Sequence, residues 1–281
     1  VYPDGNKIKY AYTNALLSRI EAVNSNETIV FNGVDFAYTN ALVSSITADD
    51  GRSVQYVYDA YGDLKSVVRV DNSEVIYGYE HISTNGIPAE YSSHRIARVE
   101  HPGSRILLND YYMAGEIVGG SALPFDDYRV GRVKAQYRTT STPTPELNST
   151  FSYNMDAQTL AGSVTVYDAL QNKAVYQVDT NGLITAIETY VKNRDANGQP
   201  IMSNGDFTYR LYSVVRKFWD DSKLIYRTVE DHSGDVWLHW GAGYDDRGNM
   251  LTETISGNLT GEFTSPLVIT TSGALLSGES A

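Results

Sequence analysis

The densest group of side chains able to do chemistry is EDHSGDVWLHWGAGYDDRG, residues 230–248. Asp231, His232, Asp235 and His239 bring together carboxylates and imidazoles, the groups used in general acid–base work. Trp237 and Trp240 offer flat faces on which a sugar ring stacks, with carboxylates close by for its hydroxyls. The candidate catalytic residues are therefore His239, Asp235 and Asp231, and the candidate ligand-binding residues are Trp237 and Trp240. On a regular strand, Val236, Leu238 and Trp240 face one way while Trp237 and His239 face the other. The competing reading is structural: Trp and His pack two sheet faces beside a Ser233-Gly234 turn, the commoner use of buried aromatics.

Other chemistries lack their residues. The five histidines, His81, His94, His101, His232 and His239, form neither H-x-x-x-H nor H-E-x-x-H, so no metal ligand spacing is present. Cysteine is absent, which removes disulfides, thiol catalysis and zinc–thiolate sites. G-x-S-x-G and Gly-rich phosphate loops are missing, and the acidic doublets at 49–50, 126–127, 220–221 and 245–246 do not fit a calcium loop. No cofactor and no metal are expected. A net charge of −12 argues against a nucleic-acid partner or an anionic membrane surface. No apolar run reaches the ~20 residues needed to span a bilayer as a helix. Asn26, Asn148 and Asn258 open N-glycosylation acceptor patterns, which matter only in a eukaryotic secretory setting.

The elements that must position these groups are short alternating runs. Tyrosine dominates the aromatics, 22 against 7 Phe and 3 Trp, and favours strands whose edges keep hydroxyls wet. IKYAYTNALLSRIEA from Ile8 returns as VDFAYTNALVSSITA from Val34, then as VQYVYDAYGDLKSVV from Val54 and VIYGYEHI from Val75. Further copies lie at 164–190 and 207–255, with a weaker one at 97–112. Each reads as strand, turn, strand. NALLSRIEAV and its β-branched copy NALVSSITAD are both read as strands.

Asp-Gly or Asn-Gly, the preferred tight hairpin dipeptides, occurs at 4–5, 32–33, 50–51, 85–86, 181–182, 197–198 and 204–205. In Asp59-Ala60-Tyr61-Gly62 the Asp accepts a backbone N–H two residues on and the Gly takes positive φ. Asp179 to Gly182 and Asp245 to Gly248 repeat that spacing. Asp168 to Gln171 lacks the glycine, so Asn172 is expected to supply the left-handed residue. Tyr56 and Tyr58 share one face of a strand, as do Tyr77 and Tyr79, and stacking lines them into ladders.

Y-x-Y-D-x-x-G-x-L followed by a strand, a turn and another Y-x-Y resembles the RHS or YD-repeat family. YVYDAYGDL at 56–64 carries the likeness best, then YDDRGNML at 244–251 and TVYDALQNKAVYQVDTNGLITAI at 165–187. It covers roughly 1–118 and 150–255. On that resemblance Tyr56, Tyr58, Asp59, Gly62, Tyr77, Tyr79, Tyr244, Asp245 and Gly248 are structural motif residues. It implies an all-β fold of tandem β-hairpins stacked into a spiralling sheet, shell-like or solenoid-like, serving in toxin-associated shells or secreted and cell-surface scaffolds. The self-cleaving core segment that ends toxin shells has no match here.

The expected organisation is a repeat region over 1–118, an irregular Pro-rich loop or crossover over 119–150, repeats again over 151–255, and a tail or terminal strand pair over 256–281. The start at Val1-Tyr2-Pro3-Asp4-Gly5, in mid-pattern, reads as an internal segment. The expected role is a non-enzymatic scaffold, secreted or at the cell surface. Its partners are other parts of the same polypeptide or other copies of it. The alternatives are a glycan- or protein-binding surface module and a polysaccharide-acting enzyme on a repeat scaffold.

Overall fold

The computed structural model describes residues 5–80, 94–124, 126–139, 144–257 and 265–277. Every regular element among them is a β-strand, and the chain divides into two compact units, residues 1–110 with 137–146 and residues 111–136 with 147–281.

The first unit is an antiparallel meander: β1 (Lys7–Thr13), β2 (Leu16–Val23), β3 (Val30–Thr39), β4 (Leu42–Ala48), β5 (Ser53–Tyr58), β6 (Leu64–Val68), β7 (Glu74–Glu80), β8 (Arg95–His101) and β9 (Arg105–Tyr111). Each strand pairs with the one before it. The NALL and NALV copies are β2 and β4, entered through two-residue turns with Asn14-Ala15 and Asn40-Ala41 at positive φ.

The second unit begins with a small hairpin, β10 (Ile117–Val118) and β11 (Ser121–Ala122). β12 (Val133–Thr139) and β13 (Glu146–Met155) follow, each with residues in both units. The meander resumes from β13 through β14 (Gly162–Asp168), β15 (Lys173–Val178) and β16 (Ile184–Lys192). A side hairpin, β17 (Met202–Ser203) and β18 (Asp206–Phe207), leads into β19 (Tyr209–Asp220), β20 (Lys223–Asp231), β21 (Val236–Tyr244) and β22 (Met250–Gly257). The hairpin β23 (Val268–Ile269) and β24 (Leu275–Ser277) closes the described chain.

Residues 119–150 therefore differ from the expected loop, because VKAQYRT alternates well enough to form β12. The prolines stay outside the strands: Pro124 follows β11 and Pro145 directly precedes β13, while Pro143 lies outside the described residues.

Among the described residues six turns share one geometry. Oδ1 of Asp59, Asp168, Asp179, Asp195, Asp231 and Asp245 each accepts the backbone N–H two residues on and the N–H four residues on, at 2.8–3.1 Å. The fourth residue takes positive φ: Gly62, Gly182, Gly198, Gly234 and Gly248, and in the Asp168 turn Gln171 at 59°. Asn172 is not the left-handed residue. It instead returns its amide to Asp168 Oδ2, which fixes the turn without a glycine. Asn32-Gly33 is not a turn either, for it lies inside β3. The bare Cα of Gly33 leaves room for the Arg19 guanidinium, which crosses it to reach Asp35 and Asp49, each at 2.8 Å. Asn85-Gly86 and Asp4 fall outside the described residues.

A second device recurs where one hairpin meets the next. In six of the described hairpins the strand leaving the turn carries one extra residue, a bulge: Ser18 in β2, Ser44 in β4, Lys65 in β6, Thr185 in β16, Ile225 in β20 and Leu251 in β22. The bulge frees the carbonyl just before it, and an aromatic at the end of the next incoming strand donates to that oxygen. Tyr38 Oη donates to Leu17 O at 2.7 Å, Tyr79 Oη to Leu64 O at 3.1 Å, Trp219 Nε1 to Ile184 O at 2.9 Å and Tyr244 Oη to Leu224 O at 2.9 Å. The register is the same in all four: the residue two after the acceptor faces the residue three before the donor, as in Arg19–Asp35, Ser66–Ile76, Ala186–Arg216 and Tyr226–Gly241. Val43 and Tyr58 keep this register through the Ser45–Gln55 pair without that bond being made.

Candidate functional site

The 230–248 segment is the β20–β21 hairpin and the turn that follows. Asp231 occupies the first position of an Asp-x-x-Gly turn ending at Gly234. Both its oxygens are committed: Oδ1 to the N–H groups of Ser233 and Asp235, Oδ2 to the indole N–H of Trp237 at 3.0 Å. Trp237 first, and the backbone donors after it, hold the Asp231 carboxyl below the usual carboxylate range. Its surroundings suit a fixed anion, not a group that exchanges protons near neutrality. Asp235 is exposed, and it lends its backbone N–H to that turn.

β21 does not alternate as the sequence suggests. Val229 faces Leu238 but Glu230 faces Val236, so Trp237 is an extra residue that shifts the pleat. Val236 and His239, three apart, are consequently both buried, at 6% and 3% exposure. His239 lies in a cross-strand row between Thr228 and Ser256, each 0% exposed. Its Nε2 sits 2.9 Å from Gly273 O in the β23–β24 hairpin, which is anchored nearby by a Val236–Leu267 bridge. The ring lies 5.4 Å from that of Tyr226, while Nδ1 of His239 and Oγ of Ser256 are buried without a hydrogen-bond partner. Glu230, also buried, accepts from Arg216 at 2.9 Å and from Thr228 at 3.2 Å.

The two tryptophans do not make one platform. Trp237 lines an open hollow of about 510 Å³ with Arg210, Tyr212, Glu230, Asp231 and His232. Trp240 is absent from it. Its indole donates to Glu253 at 2.6 Å and its ring lies under the Arg227 guanidinium. His239 lines none of the described hollows, so the candidate acid–base set is dispersed: one residue under a hairpin, one inside a turn, one on the surface.

Of the motif tyrosines, Tyr79 and Tyr244 make the bond to a bulge carbonyl, while Tyr56, Tyr58 and Tyr77 do not. Tyr56 and Tyr58 close β5 ahead of Asp59 and Gly62, Tyr77 and Tyr79 close β7, and Tyr244 closes β21 ahead of Asp245 and Gly248. Among the described residues the ring pairs are Tyr112–Tyr153, Tyr167–Tyr209 and Tyr226–His239, none of them between those motif tyrosines. Among the described residues no three His, Asp or Glu side chains converge as a metal site. No helix there is long and apolar enough to cross a membrane. His81 and Asn258 lie outside the described residues. Sequence reasoning overlooked that Asp231-His232-Ser233-Gly234 and Asp195-Ala196-Asn197-Gly198 have the Asp59 spacing, a signal that was present.

No protein-family model matches the chain, and no curated protein matches it. Among solved structures, a chain of the crystal structure of TcdB2-TccC3-TEV is 12% identical with a TM-score of 0.22, over 85% of this chain and 15% of that one. This chain thus spans a small part of that neighbour's length, and a score that low fixes neither arrangement nor function.

Proposed function

We propose that the chain is a non-enzymatic structural scaffold, a segment of a secreted or cell-surface RHS/YD-repeat assembly in which stacked hairpins spiral as a shell or extend as an array. The observation that carries this reading is the spending of chemically capable groups on architecture. Asp231, the best-placed carboxylate of the candidate site, makes the same two backbone bonds as Asp59, Asp168, Asp179, Asp195 and Asp245. Tyr38, Tyr79 and Tyr244 spend their hydroxyls on bulge carbonyls. Repetition of identical bonds is what an array needs, since each unit is stabilised only by its neighbours.

One observation favours a second reading, a glycan- or protein-binding face: the hollow beside Trp237, with Tyr212 62% exposed at its wall. A glycan array with the protein and its Trp237→Ala variant separates the two. Absence of saccharide binding is expected for the scaffold. Saturable binding lost in a folded Trp237→Ala protein would overturn it. The enzyme reading draws no support from His239, which is buried beneath a hairpin.

A further inference from the structure

One hollow in the first unit brings two arginines together without a counter-charge of their own. It has a volume of about 660 Å³, and its lining includes His101, Arg105, Leu107, Arg138, Thr139 and Glu146, all of them residues of that unit. His101 ends β8 and faces Arg105, the first residue of β9. Arg138 comes from the end of β12, and Glu146 opens β13. Carboxylates are plentiful in this chain, 34 Asp and Glu against 22 Lys and Arg. Other arginines take them up: Arg19 reaches Glu21, Asp35 and Asp49, Arg98 reaches Glu100, Arg129 reaches Asp127 and Arg216 reaches Glu230. Arg105 and Arg138 are exposed, and among the described residues neither guanidinium has a hydrogen bond, an ion pair or a ring contact. Glu146 lines the same hollow, yet no ion pair joins it to either arginine.

We propose that this hollow binds the oxyanion of a small ligand, a phosphate, sulfate or carboxylate, across Arg105 and Arg138. A guanidinium is planar, always charged, and presents N–H donors in a fork that meets two oxygens of such a group at once. The imidazole of His101 adds a further ring nitrogen to the same wall. A concave wall concentrates the field of its charges, so two cations sharing one hollow attract an anion more strongly than the same two scattered over the surface. The one carboxylate, Glu146, leaves an excess of one positive charge from the two arginines. That balance suits a single anionic group and not a polyanion. The volume lies in the range of small-molecule sites, and Ile106 and Leu107 give a carbon skeleton something apolar to lie against.

A scaffold can carry such a site or lack it, so the two readings fail separately. The probes are sodium phosphate, sulfate and benzoate, each titrated against chloride at matched ionic strength and followed by calorimetry and thermal melts. At least one of the three is expected to bind saturably and to raise the melting midpoint as mass action requires. The tightest of them identifies the oxyanion, and benzoate ahead of the two inorganic ions would assign a carboxylate with an apolar body. Arg105→Gln and Arg138→Gln should each weaken binding roughly tenfold or more, as expected for loss of a charge-assisted hydrogen bond. Both side chains are exposed and unbonded, so the variants should fold as the parent does. Arg247→Gln, which removes an equal charge from the exposed turn between β21 and β22, should leave binding unchanged. Three results would overturn the proposal: no saturable binding of any probe up to about 50 mM beyond that of chloride, binding that survives Arg105→Gln and Arg138→Gln together, or a loss in Arg247→Gln equal to theirs.

Discussion

At the scale of single residues, the backbone N–H groups around a carboxylate decide whether it can act as an acid. Two such groups and an indole converge on Asp231, and the same two converge on Asp245, with the Asn249 amide added. Asp245 is held below the usual carboxylate range by Asn249 first, and Asp127 is drawn down from 3.8 to about 2 by the Arg129 guanidinium. A lowered carboxyl pKa means the folded state binds its proton less readily than the unfolded chain. The stability it contributes is complete above the ordinary value and fades as pH falls toward the folded one. Thermal melts should therefore lose midpoint steadily between about pH 4 and pH 2, and Asp127→Asn should flatten that decline. An unchanged slope would deny the Arg129 pair a role. Gln171 invites the opposite experiment. It sits at φ 59° where five sister turns have glycine, and a left-handed non-glycine residue costs roughly 1–2 kcal/mol, part of which glycine returns through its looser unfolded chain. Gln171→Gly should stabilise by about 0.5–1 kcal/mol in chemical denaturation.

At the scale of elements, hairpins were legible and the bulges between them were not. Alternation and turn dipeptides placed the strands of the NALL and NALV copies because both signals are local. Asn32-Gly33 misled because the same dipeptide serves where an arginine must cross a strand, which depends on Arg19, fourteen residues away. The inward turn of His239 was hidden for a like reason: Trp237 is extra only relative to Glu230 on the partner strand. A bulge is a property of two strands, and no single run of residues announces it. Its contribution can still be measured. Tyr244→Phe leaves the Leu224 carbonyl without its donor and should cost about 0.5–1.5 kcal/mol. Tyr58→Phe, at the register-equivalent position without the bond, should cost close to nothing. Equal losses in the two variants would remove that bond from the account.

At the scale of the molecule, the largest wholly buried side chains among the described residues are Val23, Thr228 and Ser256, two of them polar and none of them large. Stability in such a chain rests on rungs between neighbouring strands more than on a deep apolar core. Hydrogen exchange should be faster in β1 and β22 than in β3, β4, β20 and β21, because among the described residues β1 pairs with β2 alone and β22 with β21 alone. Uniform protection would indicate a single cooperative block. The meander also dictates how the protein yields to tension. In a hairpin pulled apart at its open end the hydrogen bonds face the load one after another. Stretched by its two ends in an optical trap, the chain should lengthen in many small steps at low force, each step a strand peeled from an edge, so that extension absorbs a pull a compact domain would meet by sudden rupture.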